Sequence, residues 1–197
     1  MEPAYTAYFD GACEPINPGG IASWGYVVYQ GDTIIHSACG TTGNPLSATT
    51  TNNVAEYTGL IKALKYCIEN NIRNLIVKGD SQLVINQMKG TYKVGSHNLI
   101  GLYNQACVYA RQFETIVFQW IPREENKIAD SLTKRAYENA VAKHNIYTSK
   151  LPFGKFKGRS IYWIIEHCPR YAEWLTKQEW VSPYLKKMLE VSSRQRS

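Results

Sequence analysis

Residues 74–88 read Asn74-Leu75-Ile76-Val77-Lys78-Gly79-Asp80-Ser81-Gln82-Leu83-Val84-Ile85-Asn86-Gln87-Met88. Residues 75–77 form a short, wholly apolar run rich in β-branching, the pattern of a strand buried on both faces. Lys78-Gly79-Asp80 ends that strand, and Ser81 is a good N-cap for a helix over 82–88. A buried strand feeding straight into a helix marks an α/β sheet with parallel strands.

Upstream, residues 4–9, 22–29 and 33–39 read as three strands separated by Asn17-Pro18-Gly19-Gly20 and Gln30-Gly31-Asp32, turn chemistry that suits an antiparallel meander. The second connection is a hairpin. From Asn53, apolar residues recur at helical spacing to Ile68, and Asn52 is placed to cap that helix. Downstream, 98–113 predicts a helix, 115–121 a β-branched strand and 124–142 a last helix. The fold class is therefore α/β: a mixed five-stranded sheet, three antiparallel strands then two parallel, flanked by helices.

After a linker at 147–150, Leu151-Pro152-Phe153-Gly154-Lys155-Phe156-Lys157-Gly158-Arg159 opens a small, mostly helical C-terminal unit. It is rich in aromatics: Tyr162, Trp163, Tyr171, Trp174, Trp180 and Tyr184. The expected organisation is a catalytic-sized domain at 1–146, a basic aromatic domain at 150–190 and a disordered tail at 191–197.

The chain of 197 residues holds 22 Lys and Arg against 16 Asp and Glu, with 44% apolar and 12% aromatic residues, which excludes a disordered chain. Residues 1–149 are balanced at 12 against 12, and residues 150–197 hold 10 against 4, so the whole excess of six falls at the C-terminal end. That asymmetry points to a polyanionic partner for the small unit. No apolar run approaches the roughly 20 residues of a membrane span. The N-terminus lacks the pattern of a secretory leader. Five cysteines, an odd number with no close pair, suit a reducing compartment, and the expected location is cytoplasmic.

Four acids stand at chemically suggestive places. Asp10 follows the first strand and precedes Gly11, and Glu56 lies in the first turn of the first helix. Asp80 ends the apolar strand, and Asp130 lies in the last helix. With the fourth strand parallel beside the first, Asp10 and Asp80 share the carboxyl edge of the sheet, where open α/β sheets bind ligands. Acids that converge without basic partners repel strongly and imply divalent cations.

Asp10-Gly11-Ala12-Cys13, Thr51-Asn52-Asn53-Val54-Ala55-Glu56, Gly79-Asp80-Ser81-Gln82 and Asn126-Lys127-Ile128-Ala129-Asp130 occur in the order found in type 1 ribonuclease H, which residues 1–143 resemble. The resemblance implies a metal-dependent endoribonuclease that cuts the RNA strand of RNA–DNA hybrids, leaving a 5′-phosphate and a 3′-hydroxyl. It further implies two Mg²⁺ ions, replaceable by Mn²⁺, held by Asp10, Glu56, Asp80 and Asp130. Asp10 would bridge both ions, Glu56 and Asp80 would hold the first, and Asp130 the second.

By the same resemblance Glu56 reads the RNA 2′-hydroxyl, which donates and accepts hydrogen bonds. Gly11, Cys13, Asn53 and Gln82 would touch the hybrid's minor groove, and Asn17 and Thr51 a DNA phosphate. For Asn17 and Asn52, ordinary turn and cap chemistry is an equally available reading.

Two departures stand out. The histidine that many relatives carry before the last aspartate is missing: His36, His97, His144 and His167 all lie elsewhere, and Arg123 is the candidate for contacting the leaving phosphate. Residues 89–97 contain two lysines and no tryptophan, so the basic hybrid-gripping handle of some relatives is absent. The C-terminal unit resembles, over about 40 residues, the small domain ending some exodeoxyribonuclease X-like nucleases. Lys155, Lys157 and Arg159 would contact phosphates there, with bases stacking on the aromatics, or simply be exposed around an aromatic core. Partners beyond the hybrid could include double-stranded RNA or DNA, and the chain is read as a monomer. The alternatives are a non-catalytic hybrid-binding module and a relaxed nuclease that also cuts double-stranded RNA.

Overall fold

The computed structural model describes residues 5–44, 47–143, 150–181, 185, 186 and 189, and divides the chain into two compact units, 1–137 and 138–197. Residues 147–149, Tyr184 and 191–197, read above as linker, aromatic and tail, lie outside the described residues.

The first unit contains strands β1 (Tyr5–Glu14), β2 (Ile21–Gln30) and β3 (Thr33–Thr42), helix α1 (Asn52–Glu69), strand β4 (Asn74–Gly79), helices α2 (Gln82–Met88) and α3 (His97–Ala110), and strand β5 (Thr115–Trp120). A 3₁₀ turn (Arg123–Glu125) leads into helix α4 (Lys127–Lys143), which runs across the division. The sheet order is β3-β2-β1-β4-β5: β1–β2 and β2–β3 are antiparallel, and β1–β4 and β4–β5 are parallel. This is the expected mixed sheet.

Alternation along β1 buries Ala7 and Phe9 in the core. They pack there with Val28 of β2 and with Tyr57, Leu60, Ala63 and Leu64, the apolar stripe of α1. Inside that core the Tyr57 hydroxyl donates to Gln87 Oε1 at 2.7 Å, and the Gln87 amide donates to the Lys93 carbonyl. The α2-to-α3 connection is thereby tied to α1 with its buried polar atoms paired.

Three details differ from the expectation. β1 runs on to Glu14 instead of ending before Asp10, because Asp10 to Glu14 keep pairing with β2 after the β4 pairing has stopped at Phe9 and Gly79. The last helix begins at Lys127, since residues 123–125 wind more tightly and Asn126 breaks the run. The cap of α1 is Thr51, whose hydroxyl accepts from the Val54 amide, and Asn52 is the first helical residue.

Glycine decides how closely the helices reach the sheet. A Cβ on Gly11 would overlap the amide nitrogen of Glu56 and the carbonyl carbon of Ala55. One on Gly59 would lie 2.9 Å from the Asp10 carbonyl oxygen, and one on Gly25 2.8 Å from the Ala129 carbonyl of α4. Gly11→Ala is expected to push α1 off β1 at a cost of about 3 kcal/mol. For a chain of this size that is a fall of roughly 6–12 °C in melting temperature, readable by thermal unfolding. An unchanged midpoint would mean that α1 has slack here.

The second unit contains α5 (Ile161–His167) and α6 (Pro169–Thr176). Leu151, Ile161, Ile164, Ala172, Leu175 and Val181 are its main buried residues. Among the described residues no helix is long and apolar enough to cross a membrane.

Candidate metal and phosphodiester site

Phe9 and Gly79 are the last residues paired between β1 and β4, so Asp10 and Asp80 stand one position beyond that pair on adjacent parallel strands. Glu56 comes from the first turns of α1, which Gly11 and Gly59 allow to lie directly over β1. The result is a group of three carboxylates, each offering an oxygen within 4.8 Å of the others.

Two of the three are nearly dry, Asp10 at 6% and Glu56 at 9% exposed, and Asp80 is half-buried. Burial, with Asp80 beside it, pushes the Asp10 carboxyl up to about 6. Burial and the charge of Asp10 likewise hold the Glu56 carboxyl well above its ordinary range. Glu56 Oε2 is buried without a hydrogen-bond partner. A buried, unpartnered oxygen on an acid grouped with two others fits a divalent cation, and an all-oxygen donor set selects a hard one.

Asp130 does not join the group. The expectation of four acids without basic partners is corrected here: Arg123 Nη2 donates to Asp130 Oδ1 at 2.6 Å, and Lys134 Nζ donates to Oδ2 at 2.5 Å. Burial raises the Asp130 carboxyl, but the bonds from Lys134 and Arg123 outweigh it and hold the group below its usual range. Arg123 is thus anchored to Asp130, at the edge of the cluster.

Asp80 is fixed from two sides. Trp120 Nε1 of β5 donates to its carbonyl at 3.0 Å, and Asn126 Nδ2 donates to Oδ1 at 2.8 Å. The same Asn126 nitrogen donates to the Phe9 carbonyl at 2.8 Å, so one side chain, 1% exposed, ties the end of β1 to the Asp80 carboxylate. Periodicity places Asn126 inside a helix over 124–142 and gives it no role of its own. Its signal was there, because asparagine competes with helical backbone bonding and so marks a break.

Asn126→Ala is expected to weaken metal binding by 10–100-fold, the usual cost of removing a residue that orients a ligand. Calorimetric titration with Mn²⁺ reads this directly, and unaltered affinity would reduce Asn126 to a structural clamp.

The remaining candidates fall in three places. Cys13, Asn17 and Thr51 meet at the start of α1: the Cys13 amide donates to Asn52 Oδ1, the Asn52 amide to Asn17 Oδ1, and the Cys13 thiol to the carbonyls of Ile16 and Thr50. Asn53 is half-buried on the first turn of α1, and Gln82 is exposed at the start of α2. Lys155, Lys157 and Arg159 are exposed on the second unit.

A family model described as "Reverse transcriptase-like" matches residues 9–136. The N-terminal RNase H domain of Rv2228c from Mycobacterium tuberculosis is 35% identical, with a TM-score of 0.65 over 72% of this chain and 99% of that one. The chain belongs to the ribonuclease H-like family. RNase H1 of Halobacterium salinarum is 32% identical, with a TM-score of 0.63 over 70% of this chain and 99% of that one. LC11-RNase H1, solved in complex with an RNA/DNA hybrid, is 31% identical, with a TM-score of 0.62 over 70% and 99%. The full bifunctional protein Rv2228c is 40% identical over 124 residues, and this chain spans about a third of its length. The family match ends before the second unit.

Proposed function

We propose that the chain is a ribonuclease H that hydrolyses the RNA strand of RNA–DNA hybrids, leaving 5′-phosphate and 3′-hydroxyl ends. The observation that carries this is the three-carboxylate group at the β1–β4 edge, with one buried oxygen unpaired. Its ribonuclease H relatives, one of them solved on a hybrid, support the same reading.

Asp10, Glu56 and Asp80 would hold Mg²⁺, with Asp130 contributing to a second ion and Mn²⁺ as a substitute. When bound, such ions supply an activated water and stabilise the leaving oxygen. The chain's own residues do the rest. Asn126 and Trp120 orient Asp80, and burial keeps bulk water from screening Asp10 and Glu56. Arg123, which stays protonated at any working pH, brings positive charge next to Asp130, where it would face the negative charge that builds on the phosphate and the leaving 3′-oxygen. Since it cannot shuttle a proton, the pH profile carries no limb from a loop histidine.

Glu56 accepts from the 2′-hydroxyl in this reading. Gly11, Cys13, Asn53 and Gln82 line the approach of the minor groove, and Asn17 and Thr51 the approach of a DNA phosphate. Cys13 takes part through its backbone, because its thiol is turned inward. Lys155, Lys157 and Arg159, on a unit resembling the small domain of exodeoxyribonuclease X-like nucleases, add phosphate contacts in place of the missing handle. A cytoplasmic location agrees with five free cysteines.

End-labelled RNA–DNA hybrid, double-stranded RNA and double-stranded DNA, each incubated with Mg²⁺, with Mn²⁺ and with chelator, test the proposal. Metal-dependent cutting of the hybrid alone is expected. Binding without cutting in either metal would overturn it, and equal cutting of double-stranded RNA would replace it with the relaxed-nuclease reading.

A further inference from the structure

The second unit carries a continuous run of ring contacts. His167 stacks on Trp163 (4.8 Å between centroids, 9°), and Trp163 meets Phe156 at 5.8 Å. Phe156 lies edge-on to Tyr171 at 4.9 Å, and Tyr171 stacks on Trp174 at 5.4 Å. Trp174 meets Trp180 at 6.1 Å and 62°, and Trp180 lies edge-on to Phe153 at 4.9 Å. Cations sit beside the same rings: Arg159 Cζ is 4.7 Å from the Trp163 centroid and Lys155 Nζ 5.5 Å from that of Phe156.

Two indoles of this run are exposed. Trp174 is 45% and Trp180 59% accessible, while the apolar interior of this unit is made by Ile161, Ile164, Leu175 and Val181. Two indoles in water are not needed for that core, and each packs against a neighbouring ring. The segment bearing the cations is closed by backbone hydrogen bonds. The Leu151 amide donates to the Arg159 carbonyl and the Gly158 amide to the Leu151 carbonyl, both at 2.8 Å, around Gly154 and Gly158 at positive φ. This turn lays out Lys155, Lys157 and Arg159 at alternate positions, all exposed. Of the nearby acids, Glu173 is ion-paired with Lys177 at 2.7 Å.

We propose that residues 150–181 form a binding site for single-stranded nucleic acid, with Trp174 and Trp180 stacking on unpaired bases and Lys155, Lys157 and Arg159 contacting the phosphates between them. Exposed indoles need a flat π-face, which a duplex keeps inside its own stack and a single strand offers at every base. The surplus of cations selects a polyanion over an uncharged aromatic-seeking peptide. The proposal rests on the nucleic-acid reading of the basic unit and is independent of the nuclease assignment.

The test uses the full chain with chelator present, so that cleavage plays no part. Fluorescein-labelled oligothymidylate is titrated and read by anisotropy and by quenching of tryptophan emission, with blunt duplex DNA and blunt hybrid of equal length as competitors. Oligothymidylate is expected to bind with strong quenching and to be displaced far less by either blunt duplex, which engages the cations alone, than by unlabelled oligothymidylate. Trp174→Ala and Trp180→Ala should each weaken it by about tenfold with an unchanged salt slope, and the Phe variants should restore most of the loss. Replacing Lys155, Lys157 and Arg159 together by Gln should instead lower the salt slope by about 2. Duplex competing as well as the single strand, no binding of any nucleic acid, or alanine variants that bind like the parent would each overturn the proposal.

Discussion

Asp80→Asn is expected to lower metal-dependent hybrid cleavage by at least about 10³-fold while leaving the fold intact, because the lost charge belongs to a site worth several kcal/mol of transition-state stabilisation. The substitution is nearly isosteric. Asparagine keeps an oxygen to accept from Asn126 Nδ2, now at 2.8 Å, and the backbone carbonyl that Trp120 contacts is unaffected. What disappears is one of three anionic oxygens within 4.8 Å of each other. Asp80 is also the leading charge that raises the Asp10 carboxyl, so its removal should return Asp10 toward the ordinary range. The expected variant is therefore folded, no less stable without metal than the parent, and inactive in Mg²⁺ and in Mn²⁺. Single-turnover cleavage at saturating enzyme, alongside circular dichroism, separates these effects. Substantial Mg²⁺-dependent activity in the folded variant would sink the assignment of the site.

The sheet was legible because its signals are local: turn residues between three alternating strands, a buried apolar run at 75–77, and Ser81 opening α2. The meeting of Asp10 and Asp80 followed from one non-local inference, that β4 lies parallel to β1, and the register bears it out with Phe9 opposite Gly79. The extension of β1 was not legible, since Asp10-Gly11 reads as a turn and only the opposing strand, with Trp24 across from Gly11, keeps it extended. Lys134 stands one helical turn after Asp130, an ion pair that spacing alone permits. The bond from Arg123 depends on the 3₁₀ turn, which periodicity does not reveal. Nor could spacing reveal that a single Asn126 nitrogen reaches both the Phe9 carbonyl and Asp80, residues 117 and 46 positions away.

The carboxylate group also dictates how stability depends on pH and metal. In metal-free protein the Asp10 carboxyl is pushed up to about 6 from an ordinary 3.8, by burial first and by Asp80 second. The native state therefore holds this proton more tightly than the unfolded chain, and stability falls as pH rises from about 4 to about 6. Below that window both states are protonated; above it both are ionised and the full penalty of about 3 kcal/mol is in place. Glu56, raised in the same direction by burial and by Asp10, deepens the loss. Asp130 acts oppositely: its lowered carboxyl favours the native state at neutral pH, and that support fades only as pH drops below the ordinary carboxylate range. Comparing the parent with Asp10→Asn, both without metal, cancels Asp130 and isolates the group. The variant is expected to melt higher at neutral pH, by roughly 6–12 °C, and to show a flatter profile between pH 4 and 6. Saturating Mg²⁺ should close most of that gap, because a cation among the ionised oxygens removes the repulsion in the parent and finds a poorer site in the variant; at one hundred times its dissociation constant it adds about 2.7 kcal/mol. That gain should shrink toward pH 5, where Asp10 holds a proton that the metal must displace. A parent whose metal-free melting temperature climbs through the same window, or which gains nothing from Mg²⁺ at neutral pH, would mean that these carboxylates are not the strained, cation-seeking group their burial and spacing imply.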